Sequence, residues 1–226
     1  MSTVRTALPW YVHPAEDPTA WAALAAAEPR PSFAVVNVHN GPGEPDDPWY
    51  PAALARLRAM RLVGYVDVAY GERRPADVLR DVCAWLDVHK VGGVMFDQLP
   101  ADAASVGRCA QYVGDARRAG AGFVVGNPGV EPQLAHLAML DVTCVFEGPA
   151  DAHVNFRPSS ALARIPRSRV WHLVHSCPPD LLDEVTARAG RMGAGHAFVT
   201  DRVMPHPWGG FPRSRVAAVG EPVTAR

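Results

Sequence analysis

The sequence predicts one compact, single-domain (β/α)8 TIM barrel. Three observations carry that expectation: eight short apolar runs recur along the chain, helix-patterned or turn-rich segments separate them, and run after run stops at an Asp, Asn, Glu or His. Strands covered on both faces read as continuous hydrophobic runs, and in a parallel sheet their C-terminal ends meet at one edge. The clearest run is Val91-Gly92-Gly93-Val94-Met95-Phe96-Asp97-Gln98-Leu99-Pro100, which enters on two glycines and surfaces at a carboxylate, a carboxamide and a proline. At 226 residues and 48 % hydrophobic, the chain suffices for one large core, and the expected domain spans 1–226.

In order, Trp10-Tyr11-Val12-His13 is the first strand, ended by Pro14. Thr19 is a suitable cap for an alanine-rich helix from Ala20 to Glu28, closed by Pro29 and Pro31. Phe33 to Val38 is the second strand and opens into the turn-rich loop His39-Asn40-Gly41-Pro42-Gly43, which runs on through Asp46 and Asp47. Leu54 and Leu57 mark a helix from Tyr50 to Met60, and Arg61 to Val68 is the third strand. Pro75 opens a helix whose apolar face is Val78, Leu79, Val82, Trp85 and Leu86, with Asp77 suited to the dipole of its first turn. After the Asp97 strand come a helix from Asp102 to Ala119, a strand Gly122–Gly126 leading to Asn127-Pro128-Gly129, and a helix from Glu131 to Leu140. Asp141 to Phe146 is the sixth strand and ends at Glu147; a short helix follows near Ser159 to Ala163. Val170 to His175 is the seventh strand, Ser176 is a candidate cap for the helix opened by Pro178, and His196 to Thr200 is the eighth. The tail with Pro205, Pro207, Trp208, Gly209, Gly210 and Pro212 reads as loop across the barrel mouth.

Composition excludes several classes. Twenty-two basic against twenty-three acidic residues leave a net charge of -1, with no basic block to act as a nucleic-acid footprint. No run approaches the roughly 20 apolar residues of a membrane span, and the N-terminus lacks an apolar signal core, so the expected compartment is the cytoplasm. Cys83, Cys109, Cys144 and Cys177 are widely spaced and read as buried free thiols. A doubly wound sheet is the rival fold, but no strand leads into G-x-G-x-x-G or a phosphate loop, and no cofactor is expected. Gly41-Pro42-Gly43 reads as a tight turn, since its proline lacks one of the donors a phosphate would need. No G-x-S-x-G elbow suggests a serine nucleophile.

In a barrel the strand endings His13, Asn37, Asp67, Asp97, Asn127, Glu147, His172 or His175, and Asp201 face one mouth. Structural duties compete for several of them: loop capping for Asn37 and Asn127, and a salt bridge to Arg73 or Arg74 for Asp67. His172 and His175 lie three apart on a strand and so point to opposite faces, which makes them poor partners for one metal. A metal held by some combination of His13, Asp67 and His172 is the minor alternative. Asp97 and Glu147 are the sharper pair, because glycosidic cleavage needs a proton donor for the departing oxygen and a second carboxylate for the cationic sugar centre. Tyr11, Trp49, Tyr70 and Trp208 are candidate faces for stacking sugar rings. Asp97 and Gln98 both face the pocket only if the chain turns between them.

Seven pieces in order resemble the spherulin 4 family, also called spherulation-specific family 4. They are Pro9 to Pro14, Val36 to Gly43, Gly64 to Gly71, Gly93 to Gln98, Asn127 to Gly129, Val145 to Glu147 and Phe198 to Asp201. The resemblance implies a glycoside-hydrolase barrel and makes galactosaminogalactan-type polysaccharide a candidate substrate, with the family's Asp at Asp97 and its strand-six Glu at Glu147. Where the family's strand reads F-D-E, this chain has Phe96-Asp97-Gln98, and a carboxamide exchanges no proton as a general acid. The expected partner is therefore a carbohydrate or small-molecule substrate. Two alternatives to hydrolysis remain: a cytoplasmic biosynthetic enzyme rebuilt for a small molecule, and a sugar-binding protein without cleavage. The sequence leaves the oligomeric state open.

Overall fold

The computed structural model describes residues 3–43 and 47–220. Its strand segments are β1 (Arg5–Thr6), β2 (Leu8–Trp10), β3 (Ala34–Val36), β4 (Leu62–Asp67), β5 (Gly93–Asp97), β6 (Phe123–Asn127), β7 (Val142–Pro149), β8 (Val170–His175) and β9 (His196–Val199). They form one sheet in the order β1-β9-β8-β7-β6-β5-β4-β3-β2, every pairing parallel. Only Ala7 separates β1 from β2, so a single stretch of chain pairs with β9 at its start and with β3 at its end. That closes the ring into the TIM-barrel architecture the sequence predicts. The Trp171 indole N–H donates to the Ala7 carbonyl at 2.9 Å, satisfying the backbone where the segment changes partner.

Around the barrel lie α1 (Pro18–Ala25), α2 (Tyr50–Arg56), α3 (Pro75–Cys83), α4 (Val106–Arg118), α5 (Leu134–Met139), α6 (Ala150–Asn155), α7 (Leu182–Arg191) and α8 (Arg213–Gly220). Strand alternation sends Met95 inward and Phe96 outward, where Phe96 meets Tyr112 of α4 at 6.0 Å between ring centroids. The lower interior is plugged by Phe33, which packs on Phe123 and Trp171 at 5.6 and 5.1 Å. No helix of the described residues is long and apolar enough to cross a membrane. Cys109, Cys144 and Cys177 are buried, Cys83 is partly so, and all four are free.

The structure departs from the sequence reading at several edges. The first strand stops at Trp10, so Tyr11 and His13 already belong to the mouth. Asp17, not Thr19, caps α1: its carboxylate accepts the Ala20 N–H at 2.8 Å, and the Thr19 hydroxyl donates to the same oxygen. Ser176 stands at φ 54 and caps no helix; a 3-10 turn over Pro179–Leu181 leads into α7 instead. The unexpected α6 covers six residues, too few for a visible period. The stretch from Pro205 to Pro212 is loop, as the sequence predicts, and a helix the sequence reading lacks, α8, follows it. Its cap is distant in sequence, since Asp201 accepts the Arg213 and Ser214 N–H groups at 2.7 and 2.8 Å. Asp46, in the loop after β3, lies outside the described residues.

Candidate functional site

Register places the polar strand ends in one row. Asp67 of β4 stands opposite Asp97 of β5, and Asp97 opposite Asn127 of β6, so all three lie at the C-terminal mouth on the inward face. Glu147 joins them through an irregularity. Cys144 pairs with Trp171 but Phe146, not Val145, pairs with His172, so Val145 is the extra residue of a β-bulge. Without the bulge, alternation from inward Cys144 would turn Glu147 away from the barrel; with it, Phe146 faces outward and Glu147 faces in. The chain turns sharply after Asp97, with Gln98 at φ 52 and its carbonyl accepting the Tyr70 N–H at 2.8 Å. That turn lets Gln98 line the same cleft as Asp97.

Asn127 organises the pair. Its Oδ1 accepts the Gly129 N–H at 3.0 Å in an Asx turn, which assigns the amide orientation. Its Nδ2 then donates to Asp97 Oδ1 at 2.7 Å and to Glu147 Oε2 at 2.6 Å. Gly129 sits at φ 69, and its carbonyl accepts the Glu147 N–H at 2.9 Å, tying the turn to β7. One nitrogen bonded to both oxygens holds them within about 5 Å of each other, the spacing at which one carboxyl can donate a proton while the other attacks. Above them opens a cleft of about 340 Å³ whose rim includes Tyr70, Gln98, Pro128 and Val130.

Burial is the first cause that raises the pKa of both carboxyls, and each is pushed further by a neighbouring carboxylate, Asp67 for Asp97 and Asp97 for Glu147. Hydrogen bonds oppose the rise. Asp97 receives Tyr65, the Gln98 N–H and Asn127, whereas Glu147 receives Asn127 and the Trp208 indole N–H, the last at 3.2 Å. The folded pair therefore binds protons more tightly than the unfolded chain, and its unfavourable contribution grows as pH rises past the ordinary carboxylate range. Wild type is expected to lose stability relative to the Asp97→Asn/Glu147→Gln double variant between about pH 4 and pH 8. Urea unfolding at the two pH values checks this, and a difference independent of pH contradicts it.

The remaining predicted site residues have other partners. Asn37 Oδ1 accepts the Gly41 N–H at 2.9 Å and so caps its own loop. Asp67 accepts the Ala69 N–H at 2.7 Å and the Asn40 amide at 3.2 Å. Of the two arginines weighed for it, Arg73 bonds its backbone carbonyl and pairs with Asp81, and Arg74 pairs with Asp77. His13 Nδ1 accepts the Ala15 N–H, leaving Nε2 to donate to Asp47 at 3.3 Å. His172 is placed away from the cleft: it lies behind the sheet, fully buried, with Nδ1 3.0 Å from His153 Nε2 and Phe156 at 5.0 Å. His175 faces the opposite way and meets Trp208 at 6.0 Å. Asp201 spends both oxygens on α8. No group of three His, Cys, Asp or Glu suited to a metal occurs among the described residues.

The aromatics divide by exposure. Trp208 is 7 % exposed and packs on Phe198, so it holds Glu147 by its N–H instead of offering a free face. Half-buried Tyr11 donates its backbone N–H to the Trp208 carbonyl, docking the tail over the mouth. Tyr70 at 67 % and Trp49 at 55 % expose most of their surface, and of these Tyr70 lines the cleft. Tyr65, inside the third strand, is a site residue that strand endings do not reveal. It stands two residues before Asp67 on the same face, a period-2 relation that places it beside Asp97.

A model of the family described as spherulation-specific family 4 matches residues 5–220. Among curated proteins, Spherulin-4 of Physarum polycephalum is 27 % identical over 166 residues, 70 % of this chain and 48 % of the relative, so the chain spans about half the length of that relative. Among solved structures, Aspergillus clavatus Sph3 in complex with GalNAc superposes with a TM-score of 0.77 at 25 % identity, over 96 % of this chain and 97 % of that one. A chitinase from Chromobacterium violaceum superposes with a TM-score of 0.56 at 12 % identity, over 99 % and 100 % of the two chains, a likeness of fold alone.

Proposed function

This chain belongs to spherulation-specific family 4, and from that premise we propose that it hydrolyses a glycosidic bond in an amino-sugar-containing glycan through Asp97 and Glu147. The observation that carries this reading is the single Asn127 amide nitrogen bonded to both carboxylates beneath an open cleft. The GalNAc bound to the Aspergillus clavatus relative supports the choice of an amino sugar.

The hydrogen bonds divide the roles. Asp97, with more donors aimed at it, carries the negative charge; Glu147, with fewer, carries the proton. Glu147 gives that proton to the departing glycosidic oxygen as Asp97 attacks the anomeric carbon, and the C–O bond to the leaving sugar breaks. Glu147, now ionised, takes a proton from water, whose oxygen displaces Asp97 and frees the sugar. Asn127 donates to whichever carboxylate bears charge at each stage. The exposed Tyr70 ring at the rim offers a face for a sugar ring.

A second reading, sugar binding without cleavage, is favoured by neutral Gln98 beside Asp97. Reducing ends released from GalNAc oligosaccharides, measured with binding in parallel, separate the two. The hydrolase reading expects turnover by wild type and a rise of about tenfold in kcat for Gln98→Glu, which adds an acid at the cleft. Saturable binding with no turnover by either protein would overturn it in favour of the binding reading.

A further inference from the structure

The opposite end of the barrel holds a cavity that glycoside cleavage does not use. It has a volume of about 440 Å³ and sits among residues that begin strands or lie within two residues of a strand's start: Phe33, Arg61, Phe123, Val142, Ser168 and His196. Three guanidinium groups, those of Arg5, Arg30 and Arg61, line it, and no carboxylate does. None of the three is in a salt bridge among the described residues.

What sets this cavity apart is a lining that gathers three guanidiniums with no carboxylate among them, whereas elsewhere Arg73 sits against Asp81 and Arg117 against Asp141. Two of them are held in place by neutral partners. Arg30 donates to the Ala59 carbonyl at 3.2 Å, and the Arg61 guanidinium lies 4.4 Å from the Phe123 ring centroid. Arg5 stands in register with His196 on β9. His196 donates from Nε2 to the Ser168 carbonyl at 3.0 Å and meets the Ser32 hydroxyl at 2.9 Å through Nδ1. Phe33 and Phe123 give the cavity an aromatic floor, with Trp171 packed on Phe33. Guanidinium forks match the oxygens of tetrahedral anions, and like charges gathered without counter-charge gain most from a dianion.

We propose that the N-terminal mouth of the barrel binds a phosphate or sulfate group, held by Arg5, Arg30 and Arg61. The site lies at the other end of the barrel from Asp97 and Glu147, so it stands whether or not the chain cleaves sugars.

The test titrates full-length protein with sodium sulfate and with inorganic phosphate at low chloride, by calorimetry and by NMR of the His196 imidazole. Saturable one-to-one binding is expected, weakened at least about tenfold by Arg61→Ala and by Arg5→Ala, and less by Arg61→Lys, which keeps the charge but loses the fork. Arg191→Ala, an exposed change on α7, is expected to bind as wild type. A glucose 6-phosphate arm separates the sources: tighter binding than inorganic phosphate supports a phosphorylated metabolite, and equal binding supports the free anion. Absence of saturation, or equal weakening by Arg191→Ala, would overturn the proposal by reducing it to diffuse surface charge. All the substituted arginines are exposed, and an unchanged melting temperature verifies folding.

Discussion

Asp97→Asn and Glu147→Gln are each expected to lower kcat/KM on an amino-sugar oligosaccharide by at least about 10³-fold, measured as reducing ends released. The two carboxyls act as a unit, one donating the proton while the other meets the anomeric carbon, so the double variant should fall little further than the worse single. Asn127→Ala tests the same unit from its centre. It removes the amide nitrogen whose N–H groups donate to the two acids at 2.7 and 2.6 Å and frees them to separate, with an expected loss of about 10²-fold. Sugar binding should survive in the single carboxyl variants, since an amide keeps the shape of the acid. Full turnover in either would remove the assignment.

Gly93→Ala is expected to cost about 3 kcal/mol or more, roughly 10 °C in Tm by circular dichroism. A Cβ at Gly93 would lie 2.2 Å from the Phe123 carbonyl oxygen of the neighbouring strand, and backbone inside a barrel has nowhere to retreat. Gly92→Ala is the control, because nothing stands within 4 Å of a Cβ there, and its cost should stay under about 1 kcal/mol. Equal melting of the two variants would contradict the packing argument. The pair of glycines that opens the Asp97 strand therefore divides into one forced by close approach and one that is not.

The fold was legible because barrel strands are buried on both faces and stop at polar residues. The Val170–His175 strand stands in the structure with the limits its apolar run has in the sequence. Strand ends also named the carboxylates and Asn127, since lateral register brings Asp97 and Asn127 together. Geometry without a local sequence signal stayed hidden. The bulge at Val145 cannot be read from Val-Phe-Glu, yet it decides that Glu147 faces in. The left-handed turn at Gln98 had no glycine to announce it, and the Asp201 cap on α8 reaches across a dozen residues. His172 shows the limit from the other side: the sequence offers His172 or His175 for that strand's ending, and alternation turns the His172 ring away from the cleft into a cluster with His153 and Phe156. Arg5, Arg30 and Arg61 are scattered in sequence and line one cavity because their segments run side by side at the N-terminal edge of the sheet.

The most direct test of the paired-carboxylate account follows the first-formed anomer by proton NMR as wild type cleaves an amino-sugar oligosaccharide of defined linkage. With the two acidic oxygens held within about 5 Å by one nitrogen, the account predicts that the initial product keeps the substrate's anomeric configuration and mutarotates only afterwards. An initial product of inverted configuration, or saturable binding with no product at all, would contradict it.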